Sequence, residues 1–191
     1  MKQTVDDRYF NALTSVEFIN HDKIHWSNFS VIEESISFLK KNNVKTILDI
    51  GSGIGKFCIL GTMLSNIQFS GVEIRKNLHD EAQRIKQQNN LSGIHFINDD
   101  IKNIDFSPFD AFYYYNPFCE HIATKDIIDN QIDLTEEKYY QYENFILQEM
   151  EKMIVGTIVI LHNAKAFILS KNYRLIDVLE NGELTFWVKE N

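Results

Sequence analysis

The sequence predicts an α/β fold: a doubly wound, mostly parallel seven-stranded sheet with helices on both faces and a C-terminal antiparallel β-hairpin. Three observations lead there. From residue 46 to residue 161 short apolar runs alternate with helix-spaced segments, the pattern that right-handed β-α-β crossovers produce. The run GTIVIL (156–161) lacks a polar alternation, as a strand covered on both faces would. The last two apolar runs flank Glu180-Asn181-Gly182-Glu183, and Asn-Gly is a strong hairpin signal.

The elements follow in order. Residues 1–43 read as an N-terminal helical cap region and residues 44–191 as the main domain, together one compact unit. Phe29, Ile32, Ile36 and Leu39 recur at helical spacing, and that helix should stop near Asn42-Asn43. A strand over 46–50 leads into a helix from about Ile54 that carries Phe57, Leu60 and Leu64. QFSGVEI (68–74) is the second strand, followed by a polar helix over 78–90. IHFIN (94–98) is the third strand and AFYYY (111–115) the fourth, ending at Asn116-Pro117. After Thr135 a helix opens with Glu136 and Glu137 in its first turn, where the helix dipole favours carboxylates. Its apolar stripe reads Ile146, Met150, Met153 and Ile154. YRLIDVL (173–179) and LTFWV (184–188) form the hairpin.

Composition narrows the function classes. The chain has 191 residues, 44% of them hydrophobic, and a net charge of −8. That charge argues against a broad grip on duplex nucleic acid, although a local basic groove would escape the total. No secretory apolar core opens the sequence, and its longest apolar stretch (153–161) is too short to span a bilayer. Cys58 and Cys119 fit neither a disulfide framework nor a metal-ligand spacing, so a reduced cytoplasmic setting is expected.

The chemistry concentrates at successive strand ends. Asp49 precedes Gly51-Ser52-Gly53-Ile54-Gly55, whose G-x-G-x-G spacing is neither the dinucleotide G-x-G-x-x-G nor the phosphate loop that ends in Gly-Lys-Ser/Thr. Glu73 ends the second strand, 22 residues beyond Gly51, where a carboxylate can accept from both ribose hydroxyls. Asp99 and Asp100 end the third strand and could accept from an adenine amine. Acids at three consecutive strand ends suit a ligand with an amine, a ribose and an adenine but no phosphate.

The stretch resembles the class I, Rossmann-like S-adenosylmethionine-dependent methyltransferases, whose hallmark is [D/E]-x-G-x-G-x-G, and the resemblance runs from about residue 44 to the end. It implies that Asp49 and the 51–55 loop, Ser52 included, flank the methionine part of the cofactor. Glu73 would hold the ribose and Ile74 would pack beside the adenine. Asp100 with the Ile101 backbone would read the adenine edge, with Asp99 the second choice. DIGSGIGKF and GVE are also similar to the non-SET-domain histone lysine methyltransferases, which is read as shared cofactor machinery.

Asn116-Pro117-Phe118 follows the fourth strand, where the family holds its reaction centre. It resembles the [D/N/S]-P-P-[Y/F] signature of amino-group methyltransferases but lacks the second proline. Proline should restrict Asn116 to an extended conformation and stiffen the turn. The Asn116 amide and backbone carbonyl would orient an amine acceptor, with Asn116 also counted among the cofactor-binding residues, and Phe118 would stack on a planar substrate or shield the sulfonium. His121 and Glu120 are the nearest general bases, each expected to be a surface residue of a mobile segment. Residues 121–134 could add a short helix beside the cleft. His21, Asp22, His25 and Trp26 would cap the cofactor, and no metal is expected from that cluster.

The sequence thus points to methyl transfer onto an amine or oxygen acceptor, a small molecule or a protein side chain. The competing readings are a non-catalytic S-adenosylmethionine-binding partner subunit and a nicotinamide-dependent oxidoreductase. The glycine spacing and the terminal hairpin disfavour the latter.

Overall fold

The computed structural model describes residues 5–19, 25–123, 125 and 127–190. Strands β1 (Thr46–Ile50), β2 (Gln68–Glu73), β3 (Ile94–Asn98), β4 (Ala111–Tyr114) and β5 (Ile158–His162) pair with one another in parallel. The hairpin of β6 (Tyr173–Leu179) and β7 (Leu184–Lys189) joins antiparallel to β5. All seven strands form one sheet in the order β3-β2-β1-β4-β5-β7-β6, so β7 lies between β5 and the edge strand β6.

Strand alternation divides the interior into two cores. On one face Ile47 and Tyr113 pack with helices α3 (Phe29–Lys41), α4 (Lys56–Leu64) and α5 (Lys76–Gln88). On the other, Leu48, Ile50, Phe112 and Tyr114 meet Tyr142, Ile146 and Met150 of α6 (Glu136–Lys152). Thr135 caps α6 by accepting from the Lys138 backbone N–H.

The N-terminal segment joins the first core. Helix α1 (Asp7–Leu13) buries Phe10 completely, and the four-residue α2 (Val16–Ile19) buries Phe18. Lys56, almost wholly buried, pairs through Nζ with Asp7 Oδ1 at 2.8 Å. Ser15 donates from its backbone and its hydroxyl to Glu81 on α5. Below the strand ends, the Ser27 and Tyr113 hydroxyls lie 2.6 Å apart, and the latter is 3.0 Å from His162 Nδ1. Burial pushes His162 down to about 4, so this chain of polar groups holds a neutral imidazole.

Several boundaries differ from the sequence reading. Helix α4 begins at Lys56 rather than Ile54, because Gly55 sits in the left-handed region at φ 78°. Tyr115 and Ile74 fall just outside their strands. Helix α5 spans Lys76–Gln88 rather than 78–90, because Asn89 caps it and Asn90 turns left-handed at φ 50°. Helix α6 ends at Lys152, with Met153 as its C-cap and Ile154 exposed beyond it, so its buried stripe is Tyr142, Ile146 and Met150. The hairpin turn occupies residues 180–183, with Glu180, Asn181 and Gly182 all at positive φ. The described residues from 122 to 134 form no helix; the 3₁₀ turn Cys119–His121 ends where the sequence reading starts one.

Candidate active site

A cleft of about 280 Å³ opens at the C-terminal ends of β1, β2 and β4, where the strand order reverses. In open α/β sheets this is where ligands bind. Each glycine of the first loop gives way to a different neighbour. A Cβ on Gly51 (φ 72°) would lie 2.5 Å from Pro117 Cβ, and one on Gly53 (φ 53°) would lie 2.3 Å from the Trp26 ring. Both glycines line the cleft. Gly55 instead accommodates Phe96, whose ring would be 2.4 Å from an added Cβ. The Ser52 hydroxyl lies over Gly71, and the Ser52 N–H donates to Val72 O at 2.9 Å. Ser52 and Gly55 therefore shape the loop without lining the cleft.

Three of the loop's backbone N–H groups, those of Ser52, Gly53 and Gly55, are committed to the chain itself. Gly53 N–H donates to Glu73 Oε2 at 3.0 Å, and Gly55 N–H to Ser52 O at 2.8 Å. Glu73 is buried, lines the cleft and also accepts from Arg75 N–H at 2.8 Å. Burial raises its pKa, opposed by the Arg75 and Gly53 backbone donors and the Arg75 charge. Asp49 lies behind the loop, accepting from Cys58 Sγ at 3.5 Å. Burial pushes it up to about 7, with the Cys58 bond opposing and the Glu73 charge adding. A cation held near the loop would favour its carboxylate form.

At the third strand end the two acids separate. Asp99 lines the cleft with Ile74 and Ile101, and its Oδ1 accepts from Asp100 N–H and Asn103 Nδ2, both at 2.7 Å. Asp100 is outside the lining. It caps a 3₁₀ turn, Ile101–Asn103, through Lys102 N–H at 2.9 Å and accepts from the Tyr142 hydroxyl at 2.9 Å.

Asn116, Pro117 and Phe118 all line the cleft. Asn116 is not extended as the sequence suggested: its φ is 41°, in the left-handed region that asparagine tolerates better than most residues. That conformation turns the chain so that Pro117 seats on Gly51, and Cys119 N–H closes the turn onto Asn116 O at 3.2 Å. Phe118 stacks on Tyr142 with ring centroids 4.7 Å apart.

Glu120 is buried rather than on the surface. It pairs with Arg75 Nη2, accepts from Ile128 N–H at 3.2 Å, and lies 3.8 Å from His25 Nδ1. Arg75 Nε also pairs with Asp129 at 3.1 Å, and Asn77 Nδ2 donates to Asp129 at 3.0 Å. This clamp fastens the segment after β4 to the end of β2. Glu120→Gln is expected to cost about 2 kcal/mol, which calorimetry would register as a melting temperature lower by ~4–8 °C. Limited proteolysis should then cut first within residues 119–134.

His121 lines the cleft, and its Nδ1 accepts from Thr135 N–H at 3.2 Å. Burial, with Lys138 and Arg75 adding, lowers its pKa, so the ring is neutral and carries its proton on Nε2. His25 and Trp26 line the cleft, whereas His21 and Asp22 lie outside the described residues. No helix among the described residues is long and apolar enough to cross a membrane.

Comparison with known proteins places this architecture. A search of curated protein sequences gives no match. Among solved structures, an RNA methyltransferase from Salinibacter ruber in complex with S-adenosyl-L-homocysteine is 20% identical, with TM-score 0.59, covering 86% of this chain and 94% of that one. An S-adenosylmethionine-dependent methyltransferase from Clostridium acetobutylicum is 16% identical, with TM-score 0.52, covering 83% and 62%. The N-methyltransferase NodS from Bradyrhizobium japonicum is 13% identical, with TM-score 0.53, covering 85% and 97%. At these identities the structures share the fold. The family model of a methyltransferase domain matches residues 41–172, from the end of α3 to the start of the hairpin, and the chain belongs to that family.

Proposed function

We propose that the protein transfers a methyl group from S-adenosylmethionine to an amine or oxygen acceptor, a small molecule or a protein side chain. One observation carries the choice of cofactor. The loop N–H of Gly53, which would face a pyrophosphate in a dinucleotide site, is taken by the Glu73 carboxylate. An acid at that point repels phosphate and suits ribose hydroxyls. Lys56, the cation nearest the glycines in sequence, is turned away to Asp7.

The residues present fit the cofactor. Glu73 would accept from the ribose, with Ile74 and Ile101 against the adenine and Asp99 at its edge. Asp100, engaged by Tyr142 and Lys102, would support that edge from behind. Gly51 and Gly53, backed by Asp49, would border the methionine moiety, with Ser52 and Gly55 setting the loop's path. S-adenosylmethionine supplies an electrophilic methyl carbon on a sulfonium. The chain's part is to align the acceptor lone pair with it and to keep water out. Asn116 would orient the acceptor through its side-chain amide, and Pro117 would hold that turn against Gly51. Phe118, its ring fixed on Tyr142, would wall the reaction centre.

The likeness to histone lysine methyltransferases rests on the glycine loop and Glu73, so it bears on the cofactor rather than on the acceptor. The fold is shared with an RNA methyltransferase. RNA therefore belongs in the acceptor panel, although a net charge of −8 disfavours a wide phosphate grip.

Isothermal calorimetry should show S-adenosylmethionine and S-adenosylhomocysteine binding and no heat with NADH. NADH binding without S-adenosylmethionine binding would overturn the reading. Labelled methyl transfer to amine, protein or RNA fractions separates an enzyme from a cofactor-binding subunit.

A further inference from the structure

A second cavity of about 200 Å³ adjoins the cleft and shares Asn116 and Asn163 with it. Glu143 of α6 lines it with Tyr114 of β4, Tyr139 and, beyond β5, Lys165. The Glu143 side chain is 4% exposed. Its Oε1 accepts from the Tyr114 hydroxyl, while its Oε2 is buried and has no hydrogen-bond partner among the described residues.

That pairing is incomplete. A buried carboxylate oxygen without a donor costs free energy, more than a neutral group would. A structural partner for Tyr114 needs only one acceptor atom, which a glutamine would provide without burying a charge. Glu143 keeps the charge and the spare oxygen beside a cavity that opens past Asn116, the residue assigned above to orient the acceptor. Tyr114 and Tyr139 supply aromatic walls that also favour a cation. Lys165 is exposed and of the opposite sign to Glu143, which makes it a poor host for a cation itself.

We propose that this cavity is the acceptor subsite and that Glu143 receives a cationic N–H donor, an ammonium or a guanidinium, carried by the methyl acceptor. The word acceptor rests on the methyl-transfer reading; the preference for a cation rests on the cavity alone. Burial pushes Glu143 up to about 6, with the Tyr114 hydrogen bond opposing. Among the groups facing it, Tyr114 and Tyr139 both have raised pKa values and stay neutral, and Lys165 contributes a positive charge. The carboxylate form binds the cation, so affinity is present at pH 8 and is lost as the pH falls through about 6.

The test uses benzylammonium and its neutral counterpart benzyl alcohol, titrated by NMR into the full chain with and without S-adenosylhomocysteine. At pH 8 benzylammonium should bind about 10-fold tighter than benzyl alcohol or better. The preference should vanish at pH 5, and in Glu143→Gln at either pH. Equal binding of the two probes at pH 8, or an unchanged preference in Glu143→Gln, overturns the proposal. The pH comparison on the native chain needs no variant, so a poorly folding Glu143→Gln leaves the test intact. Tyr114→Phe removes the Tyr114 hydroxyl donor to the carboxylate and should widen the preference for the cation; a narrowed preference counts against the subsite. Failure of the methyl-transfer reading would show separately, as absent S-adenosylhomocysteine binding, while the probe preference is still read in its absence.

Discussion

Glu73→Gln is expected to lower S-adenosylmethionine affinity by about 100-fold, equivalent to roughly 2–3 kcal/mol. The carboxylate can accept from two ribose hydroxyls at once with charge assistance, whereas the amide offers one acceptor and a misplaced NH₂. Calorimetric titration checks this, with S-adenosylhomocysteine as the matched ligand that lacks the methyl group. The same change removes a buried charge whose pKa is already raised by burial. The melting temperature of the free protein should therefore move by no more than ~5 °C. An affinity within threefold of the native value would remove Glu73 from the ribose role. A collapse in stability would instead assign it mainly to holding the Gly53 and Arg75 backbone in place.

Gly51→Ala carries the other large effect, because one methyl group meets two obstacles. The left-handed backbone at φ 72° adds about 1–2 kcal/mol of strain for any L side chain. The new Cβ would also lie 2.5 Å from Pro117 Cβ, a ring atom with little freedom to retreat. Together these should cost about 3 kcal/mol, or ~6–12 °C in melting temperature. They should also push the Asn116–Phe118 turn away from the cofactor, reducing methyl transfer by about 100-fold. Adding Pro117→Gly deletes the opposing Cβ and should recover the packing share while leaving the strain. Strictly additive losses in that double-mutant cycle would show that the loop and the turn are not sterically coupled.

Much of this was legible in the residues, for identifiable reasons. Strands such as 46–50 and 94–98 stood out because their apolar runs are short and bounded by polar turns. The hairpin was announced by Asn-Gly, although a turn with three successive positive-φ residues is broader than that dipeptide requires. Ile154 reads as part of the apolar helix stripe because periodicity does not reveal where a helix stops. Asn116 was expected to be extended because rules for the residue before proline describe the chain locally, whereas its conformation answers to Gly51 across the cleft. The Arg75, Glu120 and Asp129 clamp had no signal at all, since its members are 45 and 54 positions apart and no spacing rule joins them. Asp99 and Asp100 illustrate a finer limit: adjacent residues point apart, and a shift of one position decides which acid faces the ligand.

The position of β7 has a consequence for how the chain must be built. It follows β5 and β6 in synthesis yet separates them in the sheet. A nascent chain can therefore assemble the five parallel strands and the glycine loop while the outer edge of β5 still lacks its partner. During that interval the fully buried face of Val159 and Leu161 borders an open row of backbone donors and acceptors, a ready template for another chain. Closing that edge waits for Leu184–Lys189, which pairs with β5 on one side and gives β6 its sheet partner on the other. The vulnerable period of folding thus runs from the pairing of the five parallel strands to the arrival of β7, after the ligand cleft has already taken shape.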